Sequence, residues 1–506
     1  TKPRFYSTYG QIQYTSEEDT KQALIKLAIF YVYLICITIV CENLSSEYWH
    51  HSIVGVRTLF EKPKYMPKSR VISMREVITI EMFWNYMEFV VLPLFHGVKF
   101  NNDVKWEPHL VESYPAVYGK LFLNESLFLG APRLRQVRVR SGTCSVNGAF
   151  IRYFNTCMAP YSRSAELQKP VYKGTLYKTN RELGATTVHG RINSYLTGGY
   201  IQSLTFSESE NRDIIRGLKE SKWLDRGSRL VLLEFAIFNI NLQVIITVKL
   251  IFEIMPTGLI NTLYKSHILP ANLSIISTSW LNLLCSSIVF IINFYNTFVE
   301  IKKLYLNGWK IYFTQFTTVL ELSRVLVDGD FIPLDYKAMF FNLHNDILAF
   351  LMFISWLLLL KFMSFNPVLV TLGQSMRMAA NDLGAFTIMF LITFTAYGNL
   401  GVLLFGGVSE YFKDFPTAFL TMVRIIVTDF NYFELEYVSP ILGAIFFLSY
   451  VMIIYFVLLN MFLAIIVLSY RTAASSVTHK PVFLWYYIRK QLYRWTNGIC
   501  KAPKYP

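Results

Sequence analysis

The sequence predicts a polytopic α-helical membrane protein with six transmembrane helices and a large α+β insert between the first and the second. Three observations support this fold class. First, 53% of the 506 residues are hydrophobic, with 41 Phe and 32 Tyr, and the mean hydropathy is +0.36, which soluble domains rarely reach. Second, several apolar runs approach the length of about 20 residues that crosses a bilayer. Third, residues 42–275 separate the first of these runs from the next.

The six predicted spans are apolar runs with few charges. They are Gln22–Cys41, Ile276–Val299, Thr314–Val327, Asp346–Phe365, Ala385–Phe405 and Ile441–Ser469. A shorter, semi-apolar stretch, Phe415–Val438, lies between the fifth and the sixth. Another apolar run, Leu230–Met255, is interrupted by polar residues every few positions and is rich in β-branched and aromatic residues. We therefore interpret it as paired strands of the insert and not as a span.

Local signals in the insert indicate strands, turns and exposure to a secretory compartment. Arg133–Val139 alternates like a strand, and N-glycosylation acceptors occur at Asn43 and Asn124, with a third, Asn272, just before the second span. Each acceptor is a weak signal by itself. Together they favour an extracellular or luminal insert.

The charges of the short connections predict the same orientation. Basic residues follow spans two, four and six, for example Lys302, Arg377 and Arg471, whereas acidic residues such as Asp328 and Glu410 follow spans three and five. Because cytoplasmic loops carry the excess of Lys and Arg, both termini are expected in the cytoplasm. The net charge of +14 fits this distribution, and it does not indicate nucleic-acid binding, since the basic residues are scattered among apolar runs.

The composition argues against an enzyme. The six Cys and eight His show no CxxC, CxxH or HExxH spacing, so a metal-dependent enzyme and a resident cofactor are not expected. The first 20 residues are polar, and the apolar run after them lacks a small-residue cleavage site, so no cleavable signal peptide is expected.

The stretch between the last two spans has the features of a re-entrant pore loop. Phe415–Asp429 (FPTAFLTMVRIIVTD) places Pro416 at the first turn of a short apolar helix that ends at Val427, Thr428 and Asp429. A second short helix is predicted through Tyr432–Tyr437. Ions cross hydrocarbon only where irregular backbone and carboxylates replace their water. In a tetramer, Asp429 would form a ring of four carboxylates that binds Ca²⁺, Na⁺ or K⁺ transiently. The alternative is an interfacial loop without a pore.

Several motifs resemble those of the polycystin-2 family of TRP polycystin cation channels. They are Phe456–Ile466 (FVLLNMFLAII), Lys222–Gly227 (KWLDRG), Pro132–Cys144 (PRLRQVRVRSGTC) and Ala385–Gly406 (AFTIMFLITFTAYGNLGVLLFG). The resemblance covers almost the whole chain, and the two motifs within the insert separate polycystins from mucolipins. It implies that the insert is the polycystin (TOP) domain, which assembles as a ring above the pore, and that Cys144 and Cys157 form a disulfide. A pair of free thiols is the alternative.

The resemblance implies the following organisation. A cytoplasmic segment (1–20), transmembrane helix 1 (21–42) and the TOP domain (43–270) come first; helices 2–4 in a voltage-sensor-like arrangement (271–365), a linker (366–384), a pore domain with helices 5 and 6 (385–470) and a cytoplasmic tail (471–506) follow.

Some positions depart from the family pattern. The family filter usually reads Leu-Gly-Asp, and here it reads Val427-Thr428-Asp429, so a β-branched residue replaces glycine. Leu463 matches the hydrophobic lower gate of the family, although it could simply pack between helices. Val467 replaces the Asn that usually follows one turn later. Lys361 is the one basic residue left at the voltage-sensor-like positions of the fourth span, and snorkelling to the interface explains it equally well.

The sequence therefore predicts a non-selective, calcium-permeable cation channel that works as a homotetramer in contact with membrane lipids. Two alternatives remain: a subunit that requires a polycystin-1-like partner, and a receptor that does not conduct. The plasma membrane, a ciliary or flagellar membrane and the endoplasmic reticulum are all compatible with the sequence.

Overall fold

A computed structural model of the chain describes residues 17–43, 47–62, 73–96, 121–122, 126–154, 156–195, 198–271, 280–304, 334–362, 367–476, 489–491 and 493–494. The chain forms two compact units. One is Tyr33–Phe353, and the other consists of the residues on either side of it. The first unit contains the sheet-rich insert, and the second contains the predicted pore domain.

Eleven strands are formed by the described residues, all within the insert. They are β1 Leu121–Phe122, β2 Ser126–Phe128, β3 Arg133–Arg138, β4 Val171–Tyr172, β5 Thr175–Lys178, β6 Val188–His189, β7 Ser194–Tyr195, β8 Gly199–Ser203, β9 Ser228–Asn239, β10 Val244–Ile254 and β11 Ile260–Pro270.

The helices of the insert are short, and those outside it are mostly long. Those of the insert are Glu47–Glu61, Ile80–Tyr86, a π-helical turn Met87–Val91, Leu92–His96, Asn180–Leu183 and Glu208–Glu220. The others are Glu17–Asn43, Trp280–Leu304, Asp335–Phe362, Pro367–Phe405, Phe415–Ile426, Phe433–Val438 and the three consecutive segments Pro440–Val451, Met452–Leu459 and Asn460–Ser476.

The insert is built on one antiparallel sheet whose centre is the hairpin of β9 and β10. Asn239 pairs with Val244 at the turn, and the register continues to Leu230 opposite Glu253. The other edge of β9 carries β2 and β3, and β11 extends the sheet beyond β10. The prediction that Leu230–Met255 forms paired strands and not a transmembrane span is therefore confirmed.

One face of this sheet carries the main apolar core of the insert. Helices Glu47–Glu61 and Leu92–His96 bring Phe60 and Phe95 against Phe235 of β9, with ring centroids 5.5 and 5.1 Å away. Trp223 is fully buried, and its indole N–H donates to the Thr175 hydroxyl at 3.1 Å. Burying large aromatic side chains stabilises a core strongly, and Trp needs a partner for its N–H when it is buried.

The strand predicted from Arg133–Val139 is confirmed, but its polar side chains do not face solvent. All six residues of β3 are buried. Arg133 Nε and Arg135 Nη2 donate to the Glu234 carboxylate of β9 at 2.8 and 2.9 Å. Lys249 Nζ lies 3.8 Å from the same carboxylate. Burial alone would raise the pKa of Glu234, but the charges of Arg135, Arg133 and Lys249 outweigh it and lower that pKa to about 2.

The same charge cluster connects the sheet to the helix Asp335–Phe362. Lys249 Nζ lies 2.5 Å from an oxygen of Asp335, the first residue of this helix. One turn later, Ala338 packs in a small apolar cluster with Ala236 and Leu269 of the sheet. A carboxylate at a helix N-terminus is favoured by the helix dipole. The beginning of this helix is therefore part of the folded insert.

The disulfide implied between Cys144 and Cys157 is present in the structure. It closes a loop of the insert whose tip carries Phe150 and Tyr153 on the surface. Disulfides persist in oxidising compartments. This bond agrees with an extracellular or luminal insert.

Four helices among the described residues are long and apolar enough to cross a membrane: Leu24–Glu42, Asp335–Leu359, Thr371–Phe405 and Pro440–Ser475. They overlap the predicted spans one, four, five and six, although the fourth and the fifth begin earlier than predicted, at Asp335 and Thr371. The second predicted span, Ile276–Val299, overlaps the helix Trp280–Leu304, of which Trp280–Ile292 is a shorter apolar segment. The third, Thr314–Val327, lies outside the described residues. Residues 367–384, most of the predicted linker, are helical and continuous with the fifth span.

We expect Glu234→Gln to destabilise the protein by about 3–5 kcal/mol, because it leaves buried cations without their shared carboxylate. The lowered pKa means that this carboxylate contributes fully above its ordinary pKa of 4.5 and loses its contribution as the pH falls towards about 2. Thermal unfolding of the purified protein in detergent should therefore show a lower Tm at pH 7, and the difference from the native chain should shrink on acidification.

Glu208→Gln is the matched control for this prediction. Glu208 pairs with Arg212 at 2.8 Å, but both side chains are more than 40% exposed, so its loss should cost no more than about 0.5 kcal/mol. Equal Tm shifts for the two variants would contradict the role of the buried cluster.

Candidate functional site

The helix Phe415–Ile426 begins as the sequence predicts. The Asp414 carboxylate accepts the backbone N–H and the hydroxyl of Thr417 at 2.9 and 2.7 Å, and Pro416 lies in the first turn. Acceptors at this position satisfy the free N–H groups of a helix start, and proline fits there because its missing N–H is not needed. We call this helix the pore helix, after the role predicted for it.

The pore helix is held by the last long helix, which consists of the three consecutive segments between Pro440 and Ser476 and which we call the inner helix. Tyr450 and Tyr455 of the inner helix donate their hydroxyls to the Met422 and Ile426 carbonyls at 2.9 and 2.5 Å. The last carbonyls of a helix lack partners in the next turn, so Tyr455 satisfies the carbonyl of the last helical residue, Ile426. Together, the two bonds position the end of the pore helix.

An aromatic core surrounds these hydrogen bonds. Phe394 of the helix Pro367–Phe405 packs edge-to-face on Phe419 of the pore helix, with ring centroids 4.6 Å apart. Gly443 of the inner helix passes so close to the second short helix that an added Cβ would lie 2.8 Å from the Leu435 carbonyl oxygen. A larger residue there would push the inner helix away from this short helix.

The pore helix ends in a tight turn at the predicted filter residues. Thr428 N–H donates to the Ile425 carbonyl at 3.1 Å, and Asp429 N–H donates to the Arg424 carbonyl at 2.9 Å. This pair of bonds is the Schellman motif, which requires a left-handed residue at the position of Thr428. Thr428 has φ +66°, a conformation that glycine adopts freely and a β-branched residue adopts only with strain. The glycine of the family pattern is thus replaced where its freedom is needed.

All three predicted filter residues are on the surface of a single chain. Val427 is 67% exposed, Thr428 is exposed, and the side chain of Asp429 is 72% exposed. Below them, a cavity of about 620 Å³ lies between the end of the pore helix and the inner helix, with Thr428, Tyr455 and Asn460 among its lining residues. The loop therefore offers an exposed carboxylate at Asp429, and Thr428 lines the cavity.

An ion pair beside the predicted filter residues was not expected from the sequence. Arg424 Nε lies 3.0 Å from Asp429 Oδ2. The two residues are five apart, which is not a spacing at which helical side chains meet. Only the left-handed turn at Thr428 brings them together. From the sequence, Asp429 is expected to be an unpaired, negatively charged carboxylate. The contact with Arg424 makes the net charge at this position less negative than expected.

The inner helix is not uniformly α-helical. Its middle segment, Met452–Leu459, is π-helical and lies between two α-helical segments. Such a segment holds one extra residue per stretch and shifts the register of the residues after it. Leu463 and Val467 follow it, on one helical face four residues apart, and are 58% and 40% exposed. The sequence did not predict this π-helical segment, since its apolar pattern is equally compatible with an α-helix.

The other predicted site residues are distributed as follows. Lys361 lies in the helix Asp335–Phe362, but its side chain is outside the described part of the structure. Asn43 is the last residue of the first long helix, and Asn124 and Asn272 fall outside the described residues. No group of three or more His, Cys, Asp and Glu that would hold a metal ion occurs among the residues that the structure describes.

Comparisons with known proteins agree with the resemblance. The family model of the Polycystin domain matches residues 73–273, and that of the Polycystin cation channel matches residues 313–473. Among curated relatives, Polycystin-2-like protein 1 of Homo sapiens is 28% identical over 88% of this chain and 58% of its own length. Polycystin-2 of Danio rerio is 28% identical over 90% of this chain and 52% of its own length. The chain thus spans little more than half the length of these relatives. Polycystin-1-like protein 3 of Mus musculus is 20% identical over 58% of this chain and 15% of its own length.

We expect Thr428→Gly to raise the stability of the folded protein by about 1 kcal/mol, because it removes the strain of a β-branched residue in the left-handed region. The Tm of the purified protein in detergent measures the change. Thr428→Ala is the matched control, since it removes the hydroxyl and the branch but retains the Cβ, whose contact with the backbone causes most of the strain at a positive φ. A gain for Ala equal to that for Gly, or no gain for Gly, would contradict this explanation.

Proposed function

Because the chain belongs to the polycystin family of cation channels, whose members are not enzymes, we propose that it is the membrane core of a cation channel and works as a tetramer. The observation that carries this proposal is the loop after the pore helix, where Asp429 is exposed at the end of a helix firmly held by the inner helix. It is a multi-pass membrane protein.

The proposed pore is built from four copies around one axis. A single chain leaves Val427, Leu463 and Val467 exposed, and a single carboxylate does not replace the water around an ion. Four copies would place four Asp429 side chains at the outer end of the pore, with Val427 and Thr428 as the rest of the filter. Oxygen atoms held by surrounding protein are what an ion needs inside a bilayer.

The proposed gate is a ring of Leu463 side chains, with Val467 one turn further on. Apolar constrictions stop ions by excluding water. Val467 in place of a polar residue would raise the barrier to opening. We assign little voltage sensing to Lys361, since moving a single charge through 100 mV supplies only about 2.3 kcal/mol.

The remaining parts of the proposal follow the family plan. Six spans, with helices 2–4 in a voltage-sensor-like arrangement, would place both termini in the cytoplasm and the insert outside or in a lumen. The permeant ions would be Na⁺, K⁺ and Ca²⁺, with no resident cofactor. The membrane lipids around the spans complete the assembly.

A mixed tetramer with a polycystin-1-like partner is the second candidate. The strained Thr428 favours it, because a filter with φ +66° at a β-branched residue departs from the glycine of the family. In a mixed tetramer, fewer copies of the strained turn would surround the pore. Unitary currents from the purified chain alone in planar bilayers would exclude an obligate partner.

We expect Asp429→Asn to reduce the permeability to divalent ions relative to Na⁺, because the ring of negative charge is lost. Reversal potentials in bi-ionic solutions, recorded from channels in bilayers, measure this ratio. Glu410→Gln removes an exposed negative charge outside the proposed filter and serves as the control. An unchanged ratio in Asp429→Asn would contradict the filter role of Asp429.

A further inference from the structure

We propose that Arg424 is a specificity-determining residue of the filter, which lowers its preference for divalent over monovalent cations by neutralising Asp429. The inference rests on the proposed function, since it concerns the same filter. It starts from the ion pair between Arg424 Nε and Asp429 Oδ2 at 3.0 Å.

The position of the guanidinium group is determined by more than this ion pair. The backbone of the two residues is joined by the bond from Asp429 N–H to the Arg424 carbonyl, so the turn at Thr428 holds them together. The guanidinium also lies 6.0 Å from the ring centroid of Tyr411. Tyr411 in turn packs edge-to-face on Phe430, the residue after Asp429. Cations are attracted to the faces of aromatic rings at such distances.

The pair is too exposed to be explained by stability. The side chains of Arg424 and Asp429 are 49% and 72% exposed, and ion pairs at such exposure contribute little to folding. The ion pair can still change the electrostatic potential at the filter, because a charge acts on a passing ion whether or not it is buried. With the Arg424 guanidinium in place, the ion pair of each chain adds no net charge at the entrance of the filter. Four unpaired carboxylates would bring four negative charges.

Neutralisation affects divalent ions more than monovalent ions. The Coulomb energy of an ion near fixed charges is proportional to its own charge, so Ca²⁺ loses twice the attraction that Na⁺ loses. The filter with Arg424 in place therefore admits Ca²⁺ but favours Na⁺ and K⁺. This refines the sequence-based expectation, in which Asp429 acts as a full negative charge.

The test is the block of Na⁺ current by external Ca²⁺ in channels recorded in planar bilayers. We expect Arg424→Gln to lower the half-blocking Ca²⁺ concentration about threefold or more, because a positive charge roughly 5 Å from the ion is removed. Lys413→Gln removes an exposed positive charge just before the pore helix and should leave the block unchanged. Arg424→Lys retains the charge and should lie nearer to the native chain than to Arg424→Gln.

The Asp429→Asn background separates this inference from the proposed function. If Arg424 acts by neutralising Asp429, adding Arg424→Gln to Asp429→Asn should change the block much less than Arg424→Gln changes it in the native chain. An altered block in Asp429→Asn together with a native block in Arg424→Gln overturns the inference and leaves the filter proposal intact. A native block in Asp429→Asn contradicts the filter proposal itself.

Arg424→His provides the test if the Gln variant does not fold. Histidine has an ordinary pKa of about 6.5, so its charge is largely present at about pH 5.5 and absent at about pH 8. The half-blocking Ca²⁺ concentration should fall as the pH rises in this variant, and it should fall less in the native chain, whose arginine keeps its charge. An equal response to pH in the two proteins overturns the inference.

Discussion

A cation that leaves water for the interior of a membrane needs oxygen atoms in the right place, and we propose that the end of one short helix supplies them in this chain. The pore helix stops at Thr428 because the backbone turns into the left-handed region there. That turn exposes Asp429 and brings Arg424 to it, and the Tyr450 and Tyr455 hydroxyls bind the Met422 and Ile426 carbonyls just before it. The proposed selectivity, its tuning and its rigidity thus share one structural origin.

The insert buries several charged side chains away from water and pairs them with one another. Its central strands place Arg133, Arg135 and Lys249 around Glu234, and Lys249 also reaches Asp335 at the start of a membrane-length helix. Buried ion pairs of this kind stabilise little compared with apolar packing, but they penalise any arrangement in which one member is missing. The cluster therefore specifies how the sheet meets this helix.

The parts of the structure that depend on period and composition were predictable from the sequence. Apolar length identified the long helices, and the frequent polar interruptions of Leu230–Met255 identified a hairpin in place of a span. Asp414 and Pro416 marked the start of the pore helix. The unpredicted parts depend on contacts that no local pattern encodes. Glu234 and Arg135 meet across 99 residues of sequence, and Arg424 meets Asp429 only because Thr428 adopts a positive φ. The π-helical segment was not predicted because an apolar run has the same residue pattern whether it forms a π-helix or an α-helix.

The central claim is that four copies bring Asp429 to a common axis, and imaging the purified full chain by electron cryo-microscopy tests it most directly. The account predicts a particle with four-fold symmetry, in which the four Asp429 side chains surround the axis at one end of the pore and the four Leu463 side chains narrow it at the other. A single-chain particle, or an assembly in which Asp429 faces lipid, would contradict it.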